Sequence, residues 1–223
     1  MTKPIVNVLY VPGTNSHKET LYAFERVGAK PRLLMLSSVL SGNETLDSAD
    51  ALCIPGGFAY GDHLGAGALA GQYLRHRVGD QLQAARRKPI LAICNGFQIA
   101  VRAGLFGDDV ALTVNNVGTF RNLVQQRHHV EPGSDNVWLS TLQGETLRFP
   151  CAHGEGRFLY SSRSGWRTAL TYPPDANPDG STDDIAGITT EDGLVLGMMD
   201  HPERAMDSPG NLEIFANGIK AAV

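Results

Sequence analysis

The stretch Pro89 to Gln98, PILAICNGFQ, constrains the fold more than any other part of the chain. Four apolar residues, Ile90 to Ile93, run without a break into Cys94. A continuous apolar run of this kind suits a strand buried on both faces, as in a parallel sheet covered by helices. Asn95 and Gly96 follow, and the pattern beyond them reads as helix through Arg102. Ala92, two residues before the cysteine, and Gly96, two after it, leave room for a sharp strand-to-helix turn. That is the layout of a nucleophile elbow, with sulfur where G-x-S-x-G hydrolases carry oxygen. The turn presents the side chain at the carboxyl edge of the sheet, and the helix amino terminus favours a thiolate there. These residues alone do not separate a nucleophile from the small buried hydrophobe that most lone cysteines at strand ends are.

The first half of the chain repeats the strand-helix alternation. Ile5 to Val11 reads as a first buried strand closing at Pro12-Gly13. Ser16 to Gly28 reads as a helix with Leu21, Phe24 and Val27 on one face and Ser16 as its N-cap. Arg32 to Leu36 and Ala51 to Ile54 are the next strands, the latter running into Pro55-Gly56-Gly57. Asp62 to Arg77 reads as helix despite Gly65, Gly67 and Gly71, and Asp80 to Arg87 continues it. Such alternation implies an α/β fold with a doubly wound, mostly parallel sheet and right-handed crossovers. Beyond Gly104 the texture changes to short strand-like runs, Val110 to Asn115, Val137 to Leu139, Thr168 to Tyr172 and Ile185 to Thr189. Extra β-strands are therefore expected in the second half. Asp192-Gly193 marks a hairpin, Tyr172 to Ser181 a loop, and Asn211 to Ala222 a closing amphipathic helix. With no linker or repeat, residues 1–223 read as a single domain.

Composition removes several function classes. A net charge of −4 and a pI near 5.9 provide no global basic field for nucleic acid or an anionic membrane. The runs Arg75-His76-Arg77 and Arg86-Arg87-Lys88 fit solvated helix faces. No segment reaches the length of a membrane span, and the first apolar run carries Asn7 and ends at a proline-glycine, unlike a signal peptide. The spacing of Cys53, Cys94 and Cys151 fits neither a disulfide framework nor a zinc ribbon. A cytoplasmic location is the expectation.

A cysteine nucleophile needs a base, a group that orients the base, and donors for an oxyanion. Of the seven histidines, His153 and His201 each open an H-x-E triplet, with Glu155 and Glu203. Pro202 fixes the backbone inside the second triplet, and residues two apart in an extended segment emerge on the same side. Glu203 could then hold the tautomer of His201, as the aspartate does in a serine protease triad. The triplet follows the apolar run Leu194 to Met199, at a strand end where sites of open α/β sheets collect. A surface turn is the plain alternative, and pairing with an elbow cysteine favours the base. Pro55-Gly56-Gly57-Phe58 is the candidate for one oxyanion N–H, since glycine lets a backbone amide be aimed at the reacting carbonyl. The N–H of Asn95, next after the cysteine, would supply another. No metal is expected. Neither triplet has the spacing of H-E-x-x-H, and no other cysteine or histidine is spaced to complete a tetrahedral site. Gly56 to Asp62, GGFAYGD, lacks the lysine of a phosphate loop, so no nucleotide site is expected either.

Joined in chain order, these pieces resemble the class I (triad) glutamine amidotransferases. Gly56 to Asp62, Cys94 to Gln98, AHGEGRF from Ala152 to Phe158, NPDGS from Asn177 and GMMDHPER from Gly197 are similar to one branch, the glutaminase subunits of phosphoribosylformylglycinamidine synthase. The resemblance implies a flavodoxin-like sheet in which Cys94 attacks the carboxamide of glutamine, forms a γ-glutamyl thioester and releases ammonia. It casts His201 as general base and then acid, oriented by Glu203. It gives the oxyanion to the N–H groups of Gly57 and Asn95, and part of glutamine binding to Gln98. It places no cofactor on this chain. ATP and magnesium would sit on a large synthetase subunit that turns formylglycinamide ribonucleotide into formylglycinamidine ribonucleotide for purine biosynthesis, with a small accessory subunit in many bacteria. AHGEGRF would lie between the glutaminase site and the synthetase docking surface.

Three departures stand out. Ser16 replaces a cysteine common in relatives, Asp200 replaces the first proline of P-H-P-E-R, and Phe120 to Val130 is only loosely similar to the usual stretch. Two other classes fit the same elements. A stand-alone thiol hydrolase of γ-glutamyl compounds would be fully active without a partner. A silent binding module would lack a triad member.

Overall fold

Because their strands carry no polar face, the apolar runs of the first half need cover on both sides, and they occupy the centre of a large sheet. The computed structural model describes residues 2–223. In chain order its strands are β1 (Ile5–Tyr10), β2 (Lys30–Met35), β3 (Ala51–Ile54), β4 (Ile90–Ile93), β5 (Val110–Thr113), β6 (Arg121–Val130), β7 (Thr146–His153), β8 (Arg157–Tyr160), β9 (Trp166–Thr171), β10 (Ile185–Thr190) and β11 (Val195–Met198). The helices are α1 (His17–Arg26), α2 (Leu36–Leu40), α3 (Ala68–Arg77), α4 (Gly79–Ala85), α5 (Asn95–Arg102) and α6 (Asn211–Ala221).

Nine strands form one sheet in the order β2-β1-β3-β4-β11-β10-β9-β6-β7, and β5 pairs with β8 in a separate ribbon. The pairs from β2 through β11 are parallel and those from β11 to β7 antiparallel. The sheet is thus the doubly wound α/β arrangement expected, continued by extra strands from the second half. Every residue of β3, β4 and β11 is buried, which explains the unbroken apolar runs. Their carboxyl ends share one edge. Ile54 stands opposite Ala92, and Ile93 opposite Met198, so the residues after β3, β4 and β11 emerge side by side.

Several expectations are corrected by long-range contacts. Residues 63–67 are not helical: Gly65 and Gly67 have positive φ, as does Asp62 at the end of a 3-10 turn over Ala59–Asp62, and α3 starts at Ala68. Asp62 Oδ1 accepts from the Gly67 amide at 3.1 Å and from Asn95 Nδ2 at 3.1 Å, so this segment folds as a loop onto the cysteine's helix. Val137–Leu139 is a 3-10 turn, because the Asn136 side chain caps it through the amides of Trp138 and Leu139. Ser16 precedes α1 but caps nothing with its side chain; its Oγ accepts from Arg204 at 2.7 Å. The polar stretch around His128 is strand β6, whose first half is largely exposed and whose second half alternates inward. That half-exposed pattern hides a strand from periodicity, and β7, β8 and α2 are further elements beyond those expected.

On the side of α1 and α6, Phe24 meets Phe215 edge-on at 5.1 Å and Trp138 at 6.4 Å. Gly218 lets Trp138 lie flat on α6, since a Cβ there would fall 2.0 Å from the indole ring. Gly218→Ala should overpack this cluster, costing about 1–3 kcal/mol and lowering the melting temperature by several degrees, roughly 2–4 °C per kcal/mol. Thermal unfolding checks this, and an unchanged midpoint would show that Trp138 has space to move.

Candidate active site

Strand β4 ends in a backbone that few side chains tolerate. Cys94 has φ 53° and ψ −112°, a strained conformation held only where the surroundings determine it. Here the Cys94 amide donates to Met198 O at 2.8 Å, and the Gln98 amide donates to Cys94 O at 3.0 Å. At Gly96 the helix passes so close to β3 that a Cβ would lie 1.8 Å from Ile54 O. The elbow expected from the sequence is therefore present, and the glycine two residues on is what lets it close.

Beside it, β11 delivers the H-P-E triplet. The His201 amide donates to Pro150 O at 2.9 Å, and Nδ1 of its ring lies 2.7 Å from Glu203 Oε1. Both side chains are buried, at 1% and 0% exposure, so a charge on either depends on the other. The expected extended segment is absent. Pro202–Arg204 forms a 3-10 turn, and it is this turn that swings Glu203 back to the imidazole. Burial opposes a charged imidazole, but the Glu203 carboxylate, followed by the Cys94 thiol, outweighs it and raises His201 to about 10. Nε2 of the ring has no hydrogen-bond partner of its own among the described residues, which leaves it available to the thiol and to a substrate.

The other predicted residues converge on the same edge. Neither the Gly57 nor the Asn95 amide is consumed by a loop hydrogen bond among the described residues, and the first amides of a helix have no intrahelical acceptor. Gly57 is pressed against the turn after β1: a Cβ would lie 2.6 Å from Thr14 Cα and 2.7 Å from Gly13 O. Gln98 borders the site with both ends of its amide tied to protein. Its Nε2 donates to Glu155 O at 2.8 Å, and its Oε1 accepts from Asn95 Nδ2 at 2.9 Å.

Cys94 lies between two clefts. The larger, about 190 Å³, is lined by Asp62, Gln98 and Glu155, with Ala152 and His153 on its far wall. The smaller, about 130 Å³, is lined by Asn15, His201 and Arg204. The rings of Phe58 and Phe120, each about half exposed, border both. Ala152 to Glu155 thus form a wall of the site, as the AHGEGRF resemblance implied in part. Sequence reasoning missed Asp62 and Glu155 as a paired acidic wall. Their only signal was membership of two motifs far apart in the chain.

A second cysteine, histidine and carboxylate also meet. Cys151 Sγ is 3.3 Å from His153 Nε2, which is 3.3 Å from Asp200 Oδ1. Cys151 is not the nucleophile of choice. It is fully buried, lines neither cleft, and burial together with Asp200 and Asp179 pushes its thiol well above the ordinary range. Burial likewise pushes up Cys53. A glutamine-mimicking electrophile should therefore label Cys94 alone, read by peptide mapping; equal labelling of Cys53 or Cys151 would contradict this assignment.

Residues 3–213 match the family described as the CobB/CobQ-like glutamine amidotransferase domain. Among curated proteins, the chain is 33% identical to phosphoribosylformylglycinamidine synthase subunit PurQ of Dehalococcoides mccartyi, over 100% of this chain and 99% of that one. It is 36% identical to subunit PurQ of Pyrococcus horikoshii, over 93% and 94%. A solved structure of PurLQS from Thermotoga maritima matches with a TM-score of 0.82 at 32% identity, over 99% and 98%. A glutamine amidotransferase from the same organism, 15% identical over 93% and 80% with a TM-score of 0.59, shares the fold.

Proposed function

The chain belongs to the CobB/CobQ-like glutamine amidotransferase family and, within it, to the PurQ subunits; from that premise we propose that it opens glutamine at Cys94 and passes the ammonia to a synthetase. The observation that carries the reading is the register of β3, β4 and β11, which sets Gly57, Cys94 and His201 at one sheet edge.

Glutamine enters the larger cleft with its carboxamide at Cys94. The carboxylates of Asp62 and Glu155 suit the α-ammonium group, and Gln98, fixed at both ends, shapes the wall between. The His201 ring, raised to about 10, already carries the proton given up by the thiol, and Cys94 Sγ attacks the amide carbon as the thiolate of that pair. The amides of Gly57 and Asn95 hold the oxyanion. His201 then gives its proton to the departing nitrogen, and ammonia leaves a γ-glutamyl thioester. Water attacks next, losing a proton to His201, and the C–S bond breaks to give glutamate and restore the thiol. Glu203 holds the ring through Nδ1 at each stage.

The partner is a large synthetase subunit that binds ATP and magnesium and converts formylglycinamide ribonucleotide to formylglycinamidine ribonucleotide, with a small accessory subunit beside it. The relative in Thermotoga maritima has been solved as PurLQS, which supports this assembly. Opening glutamine needs no cofactor on this chain, which acts in the cytoplasm as one domain over residues 1–223. The test is co-purification with an ATP-binding synthetase, followed by synthesis with glutamine against ammonia. Both nitrogen sources should serve the complex. Full glutaminase activity of the isolated chain, with no synthetase recovered, would instead identify a stand-alone thiol hydrolase.

A further inference from the structure

Behind the catalytic wall lies a buried group of side chains that glutamine opening does not use. Cys151 and His153 point inward from β7, and Asp200 reaches them from the residue before His201. One donor atom from each of Cys151, His153 and Asp200 lies within 4.8 Å of the others. Asp179, also fully buried, brings Oδ2 to 3.9 Å from His153 Nε2, while its Oδ1 is fixed by the amide and hydroxyl of Ser181 at 2.9 and 2.7 Å. On the other side, His128 Nε2 lies 2.9 Å from Asp200 Oδ2, and its Nδ1 lies 3.0 Å from Gln126 O.

Asp200 is the anomaly. It is a carboxylate with no exposed surface, and neither oxygen has a hydrogen-bond partner among the described residues. His128 Nε2 and His153 Nε2, at 2.9 and 3.3 Å from its two oxygens, compensate its charge without a well-aligned hydrogen bond. Removing an ionised carboxylate from water without hydrogen bonds is among the costliest things a core can do. A divalent cation is one group that would satisfy it. Tetrahedral zinc, with bonds of about 2.0–2.3 Å, sets its donor atoms roughly 3.3–3.6 Å apart. The 3.3 Å separations from Cys151 Sγ to His153 Nε2 and from there to Asp200 Oδ1 fall at that spacing.

We propose that Cys151 Sγ, His153 Nε2 and Asp200 Oδ1 form a structural site for a zinc-type divalent ion, with a water molecule as fourth donor. His128 stands outside it, against the second oxygen of Asp200, where outer partners of metal ligands are found. Binding displaces the Cys151 thiol proton to water, so affinity rises with pH. The ion ties the end of β7, which carries the Ala152 wall, to the segment that begins His201. Spacing along the chain gave no sign of this, because Asp200 comes from another segment. Two of the departures from the common pattern, Asp200 and the His128 stretch, meet here.

The test titrates the purified, metal-stripped chain with zinc and with cobalt(II). One equivalent should bind, cobalt should give a thiolate charge-transfer band in the near ultraviolet, and zinc at about 100 times its dissociation constant should raise the melting temperature by roughly 5–10 °C. Cys94→Ala should keep the equivalent and the band. Cys151→Ser should lose the band, and Asp200→Asn should weaken binding at least about tenfold. Failure of the unaltered chain to bind either metal overturns the proposal whatever the variants do. Loss of binding in Cys94→Ala, with retention in Cys151→Ser, would move the metal to the catalytic pair and overturn it equally.

Discussion

Cys94→Ala should abolish glutamine-dependent synthesis by the assembled complex, a fall of roughly 10⁴-fold or more, while synthesis from added ammonia continues near its normal rate. The asymmetry follows from where the chemistry sits. Without sulfur at the elbow no thioester forms, and amides and water around the clefts cannot replace a nucleophile. Ammonia presented directly enters after that step. Alanine is smaller than cysteine and makes no new contact, and the elbow's backbone bonds, from Cys94 N to Met198 O and from Gln98 N to Cys94 O, do not involve the side chain. The complex should therefore still assemble. Loss of both activities would mean that the elbow has a structural or coupling role beyond supplying nitrogen. Retention of both would place the nucleophile elsewhere.

Glu203→Gln should lower glutamine turnover by roughly 10²–10⁴-fold, with KM for glutamine changed little, because the carboxylate touches the base and not the substrate. Its signature is in pH. The Glu203 carboxylate is the main force raising His201 to about 10 against burial. With glutamine at 203 that force is gone and only Cys94 still opposes burial, so the pKa of the imidazole falls. A raised histidine pKa contributes stability that is complete below the unfolded value, near 6.5, and is lost as pH rises towards 10. The gap in melting temperature between the unaltered chain and Glu203→Gln should accordingly narrow between about pH 6.5 and 10. A gap independent of pH would mean that Glu203 matters for packing alone.

Much of this site was readable in the sequence, for a physical reason. Parallel strands buried on both faces must be apolar throughout, so β3, β4 and β11 announce themselves, and the residues just beyond each are at the sheet edge where α/β sites form. Gly57, Cys94 and His201 are all of that kind. What could not be read depended on contacts between segments distant in the chain. The Asp62 loop looks helical until Asn95 and Gly67 claim its carboxylate. Strand β6 pairs between β9 and β7 while leaving much of itself exposed, so its pattern is not that of a strand. Glu203 does reach His201, but by a 3-10 turn and not by the extended geometry inferred from an H-x-E triplet. The grouping of Cys151, His153 and Asp200 across two strands is invisible to any rule of linear spacing.

Two cysteines in this fold have a histidine and a carboxylate close by, so the central claim is that Cys94 and not Cys151 carries the γ-glutamyl group. The direct measurement is to quench the complex in acid during turnover with glutamine and locate the acyl adduct by peptide mass mapping. A γ-glutamyl thioester on Cys94, absent from His201→Ala under the same conditions, is the expected result. An adduct on Cys151, or turnover with no covalent adduct on any cysteine, would contradict it.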